Sequence, residues 1–236
     1  MEKRELIYEG KAKRLYATDD PALIIQDFKD AATAFNAKKR GTIVSKGILN
    51  NQMSEAFFRL LEAAGVPTHF VTRLSEREML VRRLDIIPVE TVVRNVVAGS
   101  LTKRLGLEEG QELSRPIVEY YYKSDPLDDP MINRWHVTVL GMATEAELDT
   151  ITAMALKVNA VLRPFLKSKG LLLVDMKLEF GRHDGAILLG DEICPDTCRF
   201  WDVASHEKLD KDRFRQDLGR VAEAYHEVHR RVCAAA

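Results

Sequence analysis

The 236-residue chain lacks the features that mark secreted, membrane-spanning and disulfide-bonded proteins. Residues 1–8 contain no apolar stretch of the kind that a secretory signal requires. No apolar run approaches the roughly 18 residues of a membrane span. The chain has only three cysteines, Cys194, Cys198 and Cys233. An odd number of cysteines without a signal fits free thiols in a reducing compartment, so we expect a soluble cytoplasmic protein.

An excess of charge of either sign is also missing. The 35 lysines and arginines nearly balance the 36 aspartates and glutamates, for a formal net charge of −1. This balance gives no indication of binding to nucleic acid or to a membrane surface. Hydrophobic residues make up 46% and charged residues 30% of the chain, as in an ordinary globular protein. No G-x-G-x-x-G or Walker A pattern occurs, which disfavours a Rossmann fold.

Apolar patterning predicts strands and helices that alternate irregularly. The predicted strands, all short, apolar and bounded by turn residues, are 6–8, 14–17, 23–25, 69–74, 79–84, 89–95, 171–180 and 186–192. The predicted helices, with apolar residues at helical spacing, are 45–64, 100–105, 144–169 and 210–232. Thr144-x-x-Glu147 is a capping box that opens the third of these helices. Antiparallel strands with segregated helices predict an α+β fold. We expect two lobes, residues 1–86 and 87–236, that meet near Pro88.

The most informative pattern is a row of charged residues on the predicted strand 171–180. Alternation places Asp175, Lys177 and Glu179 on one face. The apolar residues expected on the opposite face are Val174, Met176, Leu178 and Phe180. Two carboxylates beside a lysine are costly unless a cation and an anionic ligand share the site. A solvated edge strand is the alternative, but the charged segment 191–199 favours a catalytic site.

Whether Asp191 joins this row depends on the turn between the two strands. A three-residue loop, 183–185, would set Asp191 opposite Lys177. A two-residue turn of Asp184 and Gly185 would instead place Asp191 with the apolar residues, since a one-residue slip reverses the faces. We expect a loop with an odd number of residues, or a bulge.

Two segments offer sites for anions. Gly10, Lys11 and Lys13 lie between two N-terminal strands, where glycine allows the backbone to approach a phosphate. A hairpin with solvated lysines is the alternative. Arg94 and Ser100 lie where a hydrophobic strand ends and a short helix begins, which suits an anion. A capped helix beside a surface arginine explains that pattern equally well.

Two further basic positions and the histidines are less informative. Lys211 and Arg215 lie one turn apart on the predicted last helix and could together hold a carboxylate or phosphate. Lys123 follows three tyrosines and, taken alone, is a surface residue. The six histidines show no metal-binding spacing, and no serine nucleophile motif occurs.

A set of longer segments resembles one family. The segments, in chain order, are Tyr8-Glu-Gly-Lys-Ala-Lys13, Lys46-Gly-x-x-Asn50, Val93-Arg-Asn-x-x-Ala-Gly-Ser100, Lys103-Arg-Leu-Gly106, Asp175-x-Lys-Leu-Glu-Phe-Gly181, Gly190-Asp-Glu192, Pro195-Asp196, Arg199-x-Trp-Asp202 and Leu209-Asp-Lys-Asp-x-Phe-Arg215. They resemble the phosphoribosylaminoimidazole-succinocarboxamide synthases, or SAICAR synthetases, of purine biosynthesis. The resemblance extends from about Leu6 to the last helix.

The resemblance implies an ATP-dependent ligase. Such an enzyme joins L-aspartate to the carboxylate of the carboxylated aminoimidazole ribotide (CAIR) and releases SAICAR, ADP and phosphate. The resemblance also implies ATP as co-substrate, Mg²⁺ as cofactor and a homodimer. The implied fold has two lobes of mainly antiparallel sheets with flanking helices. Its ATP cleft, between the lobes, is similar to those of kinases and ATP-grasp enzymes.

The resemblance also implies roles for individual residues. The implied ATP-binding residues are Gly10, Lys11, Ala12, Lys13, Arg82, Leu84, Lys123, Lys177 and Glu179. The implied metal ligands are Glu179 and Asp191. The implied substrate-binding residues are Arg94, Ser100, Arg199, Lys211 and Arg215. The implied catalytic residues are Lys13, Asp175, Lys177 and Asp196.

Two other functions remain open, and one position departs from the family. A small-molecule kinase would use the same cleft with a hydroxyl acceptor, and a non-catalytic module would bind ATP without turnover. Asn36-Ala37 stands where the family often has Asn-Gly or Asp-Gly. Alanine would be strained there if the backbone requires a positive φ.

Overall fold

The structure is a computed structural model that describes residues 1–34 and 38–234. The departure at Asn36 and Ala37 therefore lies outside the described residues. Within the described ranges, no helix has the length and apolar character needed to cross a membrane.

Strands and helices alternate along the chain much as the sequence predicts. The strands are β1 (Leu6–Glu9), β2 (Lys13–Ala17), β3 (Leu23–Phe28), β4 (Ala31–Ala34), β5 (Lys39–Thr42), β6 (Phe70–Arg73), β7 (Glu78–Arg82), β8 (Asp85–Val96), β9 (Glu112–Tyr122), β10 (Met131–Ile132), β11 (Leu171–His183), β12 (Ala186–Leu189) and β13 (Cys198–Asp202). The helices are α1 (Lys46–Ala63), α2 (Ser100–Leu105), α3 (Arg134–Val139), α4 (Glu145–Ser168), α5 (Asp212–Arg215) and α6 (Val221–Cys233), with a 3-10 turn at Asp125–Leu127.

The strands form two main antiparallel sheets. The first has five strands in the order β1-β2-β3-β7-β6. The second has six strands, with β10-β9-β8-β11-β12 in order and β13 paired to β11. A separate hairpin joins β4 to β5. With the segregated helices, this arrangement confirms the predicted α+β class.

A single apolar cluster connects helix α1 with both sheets. Phe57 of α1 is fully buried. Its ring centroid lies 6.3 Å from that of Phe165 in α4 and 6.2 Å from that of Phe200 in β13. Phe70 of β6 and Met79 of β7 belong to the same cluster. The core is therefore continuous beneath the edge where the two sheets meet.

Several elements differ from the sequence prediction. The strands β4, β5, β10 and β13 and the helix α3 were not predicted, and two further differences have clear physical causes. The single helix expected over 210–232 is wrong: the chain forms α5 and α6, separated by Asp217, Gly219 and Arg220, all of which have positive φ. A helix cannot pass through left-handed residues. Strand β9 was not predicted because Pro116 lies within it. Proline is tolerated near a sheet edge, and only the two residues of β10 pair with β9 on its outer side.

The N-terminus of α4 generates a first prediction. The Thr144 hydroxyl accepts a hydrogen bond from the Glu147 amide at 3.2 Å, and the Glu147 carboxylate accepts one from the Thr144 amide at 2.8 Å. Thr144→Ala should lower the free energy of unfolding by about 1 kcal/mol, because a helix donor loses its partner. Urea denaturation measures this difference. Thr150→Ala, at an exposed position in the same helix, is the control and should change little.

The same cap should depend on pH. Hydrogen bonds from Arg182 and Thr144 lower the pKa of Glu147 from 4.5 to about 2. A lowered folded-state pKa adds stability above the unfolded pKa, and this stability is lost as the pH falls through the folded pKa. Replacing Glu147 by Gln should therefore lower the free energy of unfolding at neutral pH, and this difference should disappear between about pH 4.5 and pH 2. A constant difference over that range would contradict the assignment.

Candidate active site

A cleft of about 610 Å³ is lined by residues of both main sheets. One part is apolar, with Leu15 and Ile24 from the first sheet and Ile86 from the second. The rest is strongly charged. Apolar walls beside convergent charged groups suit a ligand with an aromatic ring and an anionic tail.

The charged row predicted on β11 lies in this cleft. Lys177 hydrogen-bonds to Glu179, and its Nζ lies 3.0 Å from Glu90 Oε1 and 3.6 Å from Asp191 Oδ2. β11 pairs with β8 on one side and with β12 and β13 on the other, so it is not an edge strand. A solvated edge strand is therefore not the explanation for the row.

Lysines from elsewhere in the chain complete the cluster. Lys13, at the start of β2, pairs with Asp191 and lies 3.1 Å from Glu192 Oε2. Lys123, which follows β9, pairs with Glu179. Three lysines that are far apart in the sequence thus converge on carboxylates of the β11–β12 region. Lys123, unremarkable in the sequence alone, is part of the site.

The turn between β11 and β12, which precedes Asp191, differs from the prediction. It has two residues, Asp184 and Gly185, whose φ angles are 47° and 78°. The odd-residue loop was therefore wrong. Asp191 still joins the charged row because β12 ends at Leu189 and Asp191 itself has a φ of 57°. This left-handed residue breaks the alternation of the strand, so its carboxylate lies beside Lys177.

Burial and charge oppose each other throughout the cluster. Burial alone would lower the pKa of Lys13 and Lys177, but the neighbouring carboxylates raise both above the ordinary value. Burial would raise the pKa of Asp191, yet the lysine charges hold it well below its usual range. Burial raises the pKa of Glu90, against the opposing charge of Lys177. Near neutral pH the lysines are protonated and Asp191 is ionised, so charges of both signs are fixed in the cleft.

A second pocket of about 320 Å³ adjoins the cleft. Arg94 lies in it, with Nη1 at 2.9 Å from Asp175 Oδ2 and Nη2 at 3.1 Å from the Ser100 hydroxyl. Arg199 Nη1 lies 2.7 Å from the same oxygen of Asp175. Arg215 also lines this pocket. Three arginines around one pocket indicate an anionic ligand.

Backbone geometry makes room for Arg199. Gly99, with a φ of 57°, precedes α2, and a Cβ there would lie 2.5 Å from Arg199 Nη2.

Strand β11 has a bulge between Leu173 and Asp175, where it pairs with β13. The bulge residue, Val174, packs against Trp201 outside the main core. The expectation that Val174 shares the face of Met176 was therefore wrong, although the row from Asp175 onward is as predicted.

Asp196 connects the two spaces. Its carboxylate accepts hydrogen bonds from Lys46 Nζ at 2.6 Å, Tyr225 Oη at 2.7 Å and Asn50 Nδ2 at 3.1 Å. The positive charges of Lys211 and Lys46 overcome burial and hold the pKa of Asp196 well below its usual range. The Lys46 side chain is only 1% exposed. Neither Lys46 nor Tyr225 was predicted to have a role, and the only signal was the motif around Lys46.

The other residues that were predicted to bind ATP also line the cleft, and some of their side chains already have partners. Gly10, Lys11 and Ala12 line the cleft, as do Arg82 and Leu84. The Lys11 Nζ lies 2.6 Å from Asp125 Oδ1. The Arg82 guanidinium donates hydrogen bonds to the carbonyls of Thr68 and Phe70.

Lys211 and Arg215 do not share a pocket. Lys211 lines the cleft, where its Nζ lies 3.7 Å from Asp196 Oδ1. Arg215 lines the second pocket, where its Nη1 lies 2.6 Å from Asp212 Oδ1. The two basic groups thus face different spaces, and each already has an acidic partner.

One cleft residue gave no signal in the sequence. His69 is buried and lines the cleft, and its Nε2 has no hydrogen-bond partner among the described residues. Burial and the charge of Lys13 lower its pKa to about 3. His69 is therefore a neutral group in the cleft wall.

Three other residues of the cleft wall lie close enough together to suggest a metal site, but their chemistry does not support one. Glu192, Cys194 and Asp196 have possible ligand atoms within 4.8 Å of one another. Lys13 and Lys46 pair with the two carboxylates, and burial raises the pKa of Glu192, which disfavours the ionised form that a cation requires. Burial also raises the pKa of the Cys194 thiol well above its ordinary value. This group is an ion-paired wall of the cleft.

Comparison with known proteins gives one consistent result. The family model for SAICAR synthetase matches residues 6–232. The phosphoribosylaminoimidazole-succinocarboxamide synthase of Coprothermobacter proteolyticus is 58% identical over 233 residues, which cover 98% of this chain and 99% of that protein. The enzyme of that name from Chlorobium chlorochromatii is 60% identical over 232 residues, with coverage of 98% and 99%.

Solved structures agree. The phosphoribosylaminoimidazole-succinocarboxamide synthase of Ehrlichia chaffeensis superposes with a TM-score of 0.95 at 45% identity, covering 98% of this chain and 100% of that one. A SAICAR synthetase in complex with ADP superposes with a TM-score of 0.94 at 52% identity, covering 97% of each chain.

Proposed function

The chain belongs to the SAICAR synthetase family, and we infer that it carries out the family reaction in the cleft and second pocket described above. It is an ATP-dependent ligase of purine biosynthesis that joins L-aspartate to the carboxylate of CAIR and releases ADP and phosphate. One observation carries the location of this chemistry. Lys177 and Asp196 line both the cleft and the second pocket. The phosphates of a nucleotide in the cleft would therefore lie next to the carboxylate of a substrate in the second pocket.

The chemistry explains why cations must surround this junction. A carboxylate does not react with an amine at neutral pH, so phosphoryl transfer must first convert it to an acyl phosphate. Transfer spreads negative charge over the phosphoryl oxygens, which fixed cations stabilise. Lys13, Lys123 and Lys177 converge there already ordered by their carboxylate partners. The aspartate amine then attacks the acyl phosphate and must give up a proton to a base.

We propose that the two substrates occupy separate spaces. ATP would lie in the cleft, with its adenine between the apolar walls near Leu84 and its phosphates near Gly10, Lys11 and Lys13. CAIR would lie in the second pocket on Arg94, Ser100 and Arg199. Asp175 and Asp196 would then lie toward its reacting carboxylate. The support is the apolar wall of the cleft and the three arginines of the second pocket.

We also propose that Glu179 and Asp191 hold Mg²⁺. Their carboxylate oxygens are the hard ligands that Mg²⁺ prefers, and both side chains face the same cleft. Both are paired with lysines that can transfer to phosphate oxygens when a nucleotide binds. The bound ion would supply further neutralisation of the phosphate charge.

We propose that the chain passes from the first lobe to the second near residues 86 and 87, at the start of β8. The last strand of the first sheet ends at Arg82, and β8 of the second begins at Asp85. β8 continues through Pro88, where its pairing with β11 shifts in register. A register shift beside a proline accommodates its missing N–H. The gap between β7 and β8 lies three residues before the proposed boundary and supports a change of lobe in this region.

The central test is a coupled assay with ATP, Mg²⁺ and CAIR, with and without L-aspartate. ADP and SAICAR should form together and only when both CAIR and aspartate are present. A phosphorylated product that accumulates without aspartate would instead support the small-molecule kinase. Tight ATP binding without any turnover would identify a non-catalytic module and reject the ligase.

The magnesium proposal has its own test. Glu179→Gln should raise the free Mg²⁺ concentration needed for half-maximal rate by about 10-fold or more, because a charged ligand is lost. Initial rates measured against free Mg²⁺ give this value. Asp217→Asn, a surface partner of Lys39, is the control and should behave as the wild type. An unchanged Mg²⁺ dependence in Glu179→Gln would exclude this ligand.

Finally, we propose a cytoplasmic homodimer. Trp135 and Val139 of α3 are 74% and 82% exposed, and Leu140 follows them at the surface. Large exposed apolar side chains that lie together favour a protein contact. Cys194 and Cys198 are free, which fits a reducing compartment. Sedimentation velocity should give a dimer that Trp135→Lys dissociates, and a monomeric wild type would reject the contact.

A further inference from the structure

An uninterrupted chain of ion pairs runs behind and through the second pocket. Arginines and carboxylates alternate along it, so that every carboxylate joins two arginines. Its members, in spatial order, are Arg215, Asp212, Arg199, Asp175, Arg94, Glu119 and Arg104. The ion-pair chain itself has four positive and three negative groups and so carries one net positive charge, which favours an anionic ligand beside its arginines.

Asp212 supports two of the pocket arginines from behind. Its Oδ2 lies 2.7 Å from Arg199 Nε, and its Oδ1 lies 2.6 Å from Arg215 Nη1. The Asp212 side chain is only 1% exposed and does not line the pocket, whereas both arginines do. The charges of Arg199 and Arg215 overcome burial and hold the pKa of Asp212 at about 2. Asp212 is therefore ionised throughout the working range of pH.

Glu119 has the same relation to the third arginine. Its Oε2 lies 2.7 Å from Arg94 Nε, and its Oε1 lies 2.5 Å from Arg104 Nη2. The Glu119 side chain is 4% exposed and also lies outside the pocket lining. Two buried carboxylates, from β9 and from the start of α5, thus occupy equivalent places on opposite sides of Asp175.

We propose that Asp212 and Glu119 are positioning residues that orient Arg199, Arg215 and Arg94 toward the phosphate of the ribotide substrate. A guanidinium on a long side chain has many rotamers, and ordering it on binding costs free energy. A buried carboxylate that engages one edge of the guanidinium removes this cost beforehand and leaves other N–H groups for the ligand. The planar fork matches a phosphate particularly well. This inference rests on the proposed function, because the phosphate belongs to CAIR.

A purely structural role is the competing explanation. Buried ion pairs often add little net stability, yet removal of one partner is destabilising. Such a loss would impair every activity of the enzyme alike. A positioning role differs because it acts only on the ligand group that the arginines hold. The two explanations therefore separate when the substrate phosphate is removed.

The test compares Asp212→Asn with the wild type on CAIR and on the same compound without its phosphate. Loss of the charge that pairs with both Arg199 and Arg215 should lower kcat/KM for CAIR by about 10-fold or more, through KM rather than kcat. The KM for ATP should stay within about twofold, and so should kcat/KM for the dephosphorylated compound. Initial rates at varied substrate concentration give these constants, and circular dichroism checks folding.

The control is a matched aspartate–arginine pair outside both pockets. Asp202 Oδ2 lies 2.8 Å from Arg231 Nη1, so Asp202→Asn loses a similar contact and should retain the wild-type KM for CAIR. If Asp212→Asn does not fold, Glu119→Gln decides the matter with the same two substrates. It should show the same selective loss on the phosphorylated compound.

The outcomes separate this inference from the proposed function. Equal losses on both compounds, or no loss on either, would overturn the positioning role while leaving the ligase intact. A wild type that makes no aspartate-dependent product from CAIR would overturn the proposed function, and this inference with it. A loss of kcat/KM for the phosphorylated compound alone supports both the positioning role and the proposed function.

Discussion

Mutual neutralisation of buried charges is the constraint on which the rest of the structure depends. Lys13, Lys123 and Lys177 are placed against Glu179 and Asp191 in a partly buried cleft. Neither set could remain there alone, since an unpaired buried charge costs several kcal/mol. The cations come from the first sheet, from the end of β9 and from β11. Charge balance therefore brings three separate parts of the chain together before any ligand binds.

The second pocket follows the same rule with different chemistry. Its cations are arginines, whose forked groups bond several oxygens in fixed directions. Asp175 pairs with two of these arginines, Arg94 and Arg199. Asp212 and Glu119, which lie outside the pocket lining, pair with the same two arginines. Lysines in the cleft are compact point charges on flexible side chains. The chain thus has an adaptable set of cations at one end and a rigid set at the other.

Sequence patterns predicted those parts of the site that lie within one regular element. The alternation of Asp175, Lys177 and Glu179 is a property of a strand and is confirmed. The path of Asp191 was predicted for the wrong reason, because a single left-handed residue, rather than the turn, redirects its side chain. The break before α6 was missed because local propensity did not reveal the positive φ values there.

Contacts between residues that are far apart in the sequence could not be predicted from the sequence alone. Tyr225 meets Asp196 only because α6 packs on α1, and Lys46 reaches the same carboxylate from α1 itself. Asp212 lies thirteen positions beyond Arg199, and Arg215 three beyond Asp212, yet one carboxylate holds both arginines. Such pairings depend on how helices and sheets pack. The family resemblance pointed to the motifs but assigned these residues no partners.

Strand β11 has one further consequence. Asp175 faces the second pocket, and Lys177, the next residue on the same face, borders both spaces. Same-face neighbours on a strand are separated by roughly 6.5–7 Å, a length set by covalent geometry. If ATP and CAIR occupy the two spaces as proposed, this strand would set the distance between them. That distance would then be fixed by the peptide repeat of the strand and not by the contacts of either ligand.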